Sequence, residues 1–200
     1  MLDRYARRLI DPALNRAGPA LASRGISANG MTLAGLGAGI VAALLIAFGQ
    51  FGLALGFILL SRLADGLDGA VARATKRTDF GGYLDIAADF LFYGLVPLGF
   101  ILADPAANGA AGGFLLASFY FNGTSFLGYA ILAQKHGLET KAQGVKSIYY
   151  SNGLLEGTET IVFFIALCSL PGLFPPLAWV FGGLCFASGA LRIYGASKVF

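Results

Sequence analysis

Four aspartates lie where a protein tolerates unpaired charge least. Asp65 and Asp68 stand three residues apart and Asp85 and Asp89 four apart, inside stretches otherwise built from Leu, Ala, Gly and Phe. Residues at these spacings share a helical face, so each pair points one way, the first with Gly69 and Ala72 and the second with Gly81. Asp68 precedes Lys76, and Asp85 follows Arg77, by about 12 Å of helix, so antiparallel neighbours would bring all four carboxylates to one level. Like charges in a medium of low dielectric repel one another, and a divalent cation relieves that repulsion. An all-oxygen donor set suits Mg²⁺ or Mn²⁺, whereas Zn²⁺ favours His or Cys. The single histidine, His136, falls in the loop after the fourth apolar stretch and reads as a solvated loop residue. Gly66, Gly69, Ala70 and Ala72 leave little bulk around Asp68, so a large planar or phosphorylated ligand could approach the backbone there.

The elements that must carry these groups follow from composition. The 200 residues are 56% apolar and only 12% charged, about half the charged fraction of a soluble domain. Glycine, proline and charge clusters divide the chain into apolar stretches near Gly30 to Ala47, Phe51 to Val71, Gly82 to Ala103, Ala110 to Leu132, Leu154 to Leu170 and Phe174 to Ile193. The expected architecture is an all-α membrane protein of six transmembrane helices over residues 26–200, preceded by an amphipathic interfacial helix over residues 1–25. In that first segment Leu2, Tyr5, Leu9 and Ala13 recur at helical spacing against Arg4, Arg7, Arg8 and Asp11. Every Lys and Arg but one falls on a single side of the predicted spans, which puts both termini in the cytoplasm. The exception, Arg62, lies halfway along the second span, where it must be a buried partner or a functional group. Gly52/Gly56 and Gly109/Gly113 have the spacing that lets helices approach closely, and Cys168 and Cys185 read as buried small hydrophobes. Ser27 and Asn29 compete as the N-cap of the first span.

The run Asp65-Gly66-Leu67-Asp68-Gly69-Ala70-Val71-Ala72-Arg73, then Gly81, Asp85 and Asp89, resembles the CDP-alcohol phosphotransferase signature D-x2-D-G-x2-A-R-x8-G-x3-D-x3-D. Every fixed residue is present, with seven rather than eight residues between Arg73 and Gly81. The resemblance implies a membrane enzyme of phospholipid synthesis that moves a substituted phosphate group, most simply phosphatidyl from CDP-diacylglycerol, to the hydroxyl of a small alcohol and releases CMP. It implies that Asp65, Asp68, Asp85 and Asp89 bind Mg²⁺ or Mn²⁺ and that Asp89 is also the general base. Asp65, Gly66, Asp68, Gly69, Ala72 and Arg73 would line the nucleotide pocket. Asn29 and Thr32 join them by similarity to a Pro-Asn-x-x-Thr element, here with Ala28 in place of proline. The implied partners are a CDP-linked lipid donor, a small alcohol, membrane lipid and a second copy of the chain, with no nucleic acid. The implied location is a bacterial cytoplasmic membrane, with the active site on the cytoplasmic side.

The acceptor alcohol is left open. The polar residues available to contact it are Asn122, Lys135, Lys146 and Arg192, with Ser147, Glu156 and Glu159 as further candidates. A CDP-aminoalcohol phosphotransferase acting on diacylglycerol is the alternative within the family. A divalent-cation transporter is the alternative outside it, although the outer halves of the spans offer no matching polar residues.

Overall fold

The computed structural model describes residues 3–137, 155 and 157–200, and among these it is entirely helical. Seven α-helices follow in order: α1 (Asp3–Ser23), α2 (Ala28–Ala47), α3 (Phe51–Ala74), α4 (Asp79–Ala103), α5 (Pro105–Lys135), α6 (Gly157–Ser169) and α7 (Phe174–Ala196). A single 3₁₀ turn, Pro171–Leu173, leads into α7. Among the described residues, four segments are long and apolar enough to cross a membrane: Ala28–Ala47, Asp79–Ala103, Pro105–Lys135 and Pro171–Ala196. α3 has the length, but Arg62, Asp65 and Asp68 interrupt its apolar run. At 13 residues α6 rises about 20 Å.

Local chemistry sets the helix ends. Ser27 caps α2, its hydroxyl accepting from Gly30 N at 3.1 Å, so the serine takes the cap and Asn29 is released for other contacts. Thr78 caps α4 by accepting from Gly81 N at 3.0 Å, and Asp104 caps α5 ahead of Pro105. Gly49, at φ +72°, ends α2 in the left-handed conformation, which lets Gln50 N reach back to Leu45 O at 2.8 Å.

α2 packs on α3 and α4, α4 on α5, α5 on α7, and α1 on α3. The buried face of α2 consists of Thr32, Gly35, Gly39, Ala42, Ala43 and Ile46, three- and four-residue steps of mostly small side chains. A Cβ on Gly35 would come within 3.2 Å of Ser61 O, and one on Gly99 within 2.6 Å of Ala43 O, so these helices meet backbone to backbone. Farther from the aspartates the core is aromatic. Phe100 stacks on Phe174 at 4.7 Å, Phe163 on Phe181 at 4.0 Å, and Phe92 meets Phe164 edge-on. Large side chains such as Leu33, Leu44, Leu53, Leu59, Leu63 and Val180 face outward, the arrangement expected of helices solvated by lipid.

One expectation changes. Among the described residues, Gly52/Gly56 and Gly109/Gly113 do not bring helices together, since a Cβ on any of them would meet nothing within 4 Å. Gly52 and Gly56 are each two residues from an inward-facing position, Ala54 and Ile58, and two residues is about 200° of helix rotation. α1 does present an apolar stripe outward, with Leu9 81% exposed, but a different edge of the helix holds it to the bundle. Leu14 lies against Gly66, and Gly18 lies against Ala70. Cys168 and Cys185 are free thiols, buried as expected.

Candidate active site

The helices place the aspartates as their spacing requires. α3 and α4 are joined by a short turn, and the pair on α3 comes together with Asp85 of α4. Asp65, Asp68 and Asp85 each offer a carboxylate oxygen, and these oxygens lie within 4.8 Å of one another. Trans ligands of an ion with bonds of about 2.1 Å stand about 4.2 Å apart, so the cluster is close to the size of one hard divalent cation. The donor chemistry fits as well, because all three groups are carboxylates and no sulfur or imidazole belongs to the cluster. Asp65 and Asp85 are half-buried, whereas Asp68 is 6% exposed and needs a fixed partner. Thr32 of α2 supplies it, donating from Oγ1 to Asp68 Oδ2 at 2.6 Å.

Asp89 stands apart from this trio. Its Oδ1 accepts from Arg62 Nη1 at 2.7 Å, and the same nitrogen lies 3.7 Å from Asp65 Oδ1. The Arg62 side chain is only 11% exposed; its guanidinium sits 4.1 Å over the Phe92 ring and donates from Nη2 to Ser61 Oγ at 3.2 Å. Among the described residues, buried Arg62 Nε has no hydrogen-bond partner. The sequence marks Arg62 as anomalous, but its partner lies 27 residues away on another helix. A hint was available in the spacing of Asp89 and Phe92, which share one face of α4.

Asn29 Oδ1 lies 3.2 Å from where a Cβ on Gly81 would project, which sets Asn29 beside the first turn of α4. Arg73 is exposed and lies across Gly69, with Nη1 3.2 Å from the position of a Cβ there. Its Nε and Nη2 both donate to Asn15 Oδ1 of α1, at 3.0 and 2.8 Å. The sequence does not single out Asn15, because nothing in a surface helix distinguishes an asparagine that fixes an arginine 58 residues away. Gly69, Ala72 and Arg73 follow Asp68 along the same end of α3 and remain partly or fully accessible. Gly66 is used differently: a Cβ there would meet Leu14 Cδ1 at 2.7 Å, so this glycine seats α1.

Of the acceptor candidates, Asn122 and Arg192 are brought together. Arg192 Nη1 donates to Asn122 Oδ1 at 2.9 Å, to Asn122 O at 3.0 Å and to Ser125 Oγ at 2.6 Å. Gly123, next to Asn122, packs against Phe90, next to Asp89. Lys135 is exposed at the end of α5, Glu159 is half-buried in the first turn of α6, and Lys146, Ser147 and Glu156 lie outside the described residues.

Comparison with known proteins identifies the family. Residues 26–190 match the family described as CDP-alcohol phosphatidyltransferase. The chain is 48% identical over 194 residues to the Escherichia coli (strain K12) inner membrane protein YnjF, covering 97% of this chain and 94% of that one. Two crystal structures of Mycobacterium tuberculosis phosphatidylinositol phosphate synthase (PgsA1) share its fold. The one with CDP-DAG bound has a TM-score of 0.67 at 19% identity, covering 92% of each chain. The one in complex with manganese and citrate has a TM-score of 0.69 at 18% identity, covering 92% of this chain and 89% of that one. Seen beside carboxylates gathered from two helices at the signature positions, the family match leaves one conclusion: the chain belongs to the CDP-alcohol phosphatidyltransferase family and is a transferase of substituted phosphate groups.

Proposed function

We propose that this protein transfers a phosphatidyl group from CDP-diacylglycerol to the hydroxyl of a small alcohol, releasing CMP, in a bacterial inner membrane. The observation that carries the reading is the grouping of Asp65, Asp68 and Asp85 within 4.8 Å, with Asp89 held beside them. The CDP-DAG bound to one fold relative supports the choice of donor, and the name of the Escherichia coli relative supports the location. α3 and α6 complete six spans, with both termini and the aspartates on the cytoplasmic side, where the basic residues gather. Two copies associate as a homodimer.

Asp65, Asp68 and Asp85 would hold Mg²⁺ or Mn²⁺, and the manganese in the other PgsA1 complex supports that pairing. An ion held there would supply positive charge against the pyrophosphate and the leaving CMP. Thr32 holds Asp68 in place, while Asn29, Gly69, Ala72 and Arg73 shape the nucleotide side of the site, with Gly66 supporting that wall through Leu14. Asp89 accepts the proton as the alcohol oxygen attacks the phosphatidyl phosphorus and the bond to CMP breaks. Arg62 occupies Asp89 Oδ1, and among the described residues Oδ2 takes no hydrogen bond, so Oδ2 is the oxygen that takes the proton. Asn122 and Arg192 form the candidate acceptor contact, because the neighbouring Gly123 lies against the Asp89 end of α4.

Transfer from radiolabelled CDP-diacylglycerol to a panel of alcohols, with products identified by mass spectrometry, tests the reading. Transfer to at least one alcohol that stops on chelation and returns with Mg²⁺ or Mn²⁺ is the expected result. Transfer only from a CDP-aminoalcohol to diacylglycerol would replace it with the other family chemistry, and undiminished turnover after thorough chelation would remove the metal. For topology, a cysteine placed near Met1 or Phe200 should resist an impermeant reagent applied to intact cells.

A further inference from the structure

Resting on that reading, we infer that Asn15 of α1 is a positioning residue for the nucleotide, one that holds the Arg73 guanidinium at the edge of the CDP pocket without neutralising it. α1 is fixed beside α3 by apolar and backbone contacts. Leu14 fills the space that a Cβ on Gly66 would take, and a Cβ on Gly18 would come within 2.6 Å of Ala70 O, so one turn of α1 lies in register with one turn of α3. Asn15 follows Leu14 at about 100° around the helix, which turns it to the edge of this contact. It is exposed there, and so is Arg73, three residues beyond Ala70.

The arginine is held from one side only. Its Nε donates to Asn15 Oδ1 at 3.0 Å and its Nη2 to the same oxygen at 2.8 Å. Nη1, the remaining nitrogen of the fork, lies over Gly69, 3.2 Å from where a Cβ would stand. Gly69 follows Asp68 of the carboxylate trio, so this end of the fork is on the part of α3 assigned to the nucleotide. The chemistry of the partner matters here. An aspartate in place of Asn15 would bind the same two nitrogens and cancel their charge, whereas a neutral carboxamide oxygen fixes the direction and leaves a positive charge to meet an anion. Among the described residues no carboxylate forms an ion pair with Arg73. A surface arginine without a partner spreads over many rotamers, and ordering it before the ligand arrives removes part of the cost of binding. α1 is thereby a wall of the nucleotide site as well as a surface helix.

Calorimetric titration of CDP into the purified full-length protein in lipid nanodiscs with Mg²⁺, beside thermal unfolding of the same samples, tests this. Asn15→Asp separates positioning from a plain clamp between helices, because it keeps both bonds to Arg73 and cancels the charge. It should unfold at the wild-type temperature or above, yet bind CDP about tenfold more weakly, the scale of one hydrogen bond to a charged group. Asn15→Ala, which frees the arginine, should weaken CDP binding about three-fold or more. In an Arg73→Ala background neither change should weaken it further, since nothing is left to position. CDP affinity within about two-fold of wild type in Asn15→Asp would overturn the inference, and so would equal losses with and without Arg73. Should Asn15→Asp fail to fold, Asn15→Ala in the two backgrounds still decides. A wild-type chain that binds no CDP would remove the nucleotide from the proposed function and this inference with it, whereas normal CDP binding in both Asn15 variants would remove this inference alone.

Discussion

The contacts among α2, α3 and α4 and those between α5 and α7 both rely on glycine, for opposite purposes. In the first group glycine mostly brings backbones together: Gly35 lies against Ser61 O and Gly99 against Ala43 O, with Gly39 alone taking a ring, that of Phe92, and a polar path of Thr32, Asp68 and Arg62 runs between the helices. In the second, glycine receives aromatic rings, with Phe114 over Gly182 and Phe121 over Gly189. Lipid tails are as apolar as leucine, so neither interface gains from removing apolar surface from water, and both depend on contact and on internal hydrogen bonds. The difference lies in what must be positioned. A ring can tilt by a few tenths of an ångström without consequence, whereas three carboxylates grouped within 4.8 Å leave less room to shift. The chain therefore sets one such backbone contact, Gly35 against Ser61 O and Asp65 N, directly beside the aspartates.

The most direct way to break this contrast is Asp68→Asn. Asp68 is buried, held by Thr32, and belongs to the metal trio. The variant should lose Mn²⁺ and CDP binding together, by two orders of magnitude or more, while the α5 and α7 interface keeps the protein folded in detergent. Calorimetric titration with each ligand measures both losses, and near-normal Mn²⁺ affinity would separate Asp68 from the ion. Next is Asp89→Asn, which keeps size and an oxygen but loses the proton acceptor. Single-turnover transfer should fall by roughly 10²-fold, with CDP affinity changed no more than a few-fold. A near-normal transfer rate would hand the proton to another group.

Smaller effects sharpen the comparison between the two uses of glycine. Gly35→Val forces new atoms against Ser61 O and Ala64, and should destabilise the protein by about 1–3 kcal/mol while weakening Mn²⁺ binding. Gly189→Ala asks only the Phe121 ring to yield, so it should cost less than about 1.5 kcal/mol and leave transfer unchanged. Thermal unfolding in one detergent, run beside the Mn²⁺ titration, checks both. Equal loss of Mn²⁺ affinity in the two variants would mean that the site does not depend on the backbone contacts beneath it.

Much of this molecule was legible from helical periodicity. The six apolar stretches correspond to α2 through α7 within a few residues at most ends, although the start of the fifth lies outside the described residues. The pairing of Asp65 with Asp68 and of Asp85 with Asp89 follows from spacing alone, because 3.6 residues per turn fixes the direction of side chains on one helix relative to each other. The same rule carries nothing about the rotation of one helix against another. That is why the small-residue pairs at Gly52/Gly56 and Gly109/Gly113 had the right spacing yet face away from the bundle, while Gly35 and Gly39 face inward.

What the amino-acid order determined, then, was which residues share a face, where helices start and stop, and that four carboxylates stand in two pairs on two helices. The tertiary structure decided the pairings that turn those faces into a site. Thr32 meets Asp68 across 36 residues, Arg62 meets Asp89 across 27, Asn15 meets Arg73 across 58 and Arg192 meets Asn122 across 70. Each of these contacts joins two helices whose mutual rotation is set by the packing of small residues and rings elsewhere along their length. The sequence could therefore identify Arg62 as a charge in need of a partner, while only the packed helices select Asp89 over the other three aspartates for its closest contact.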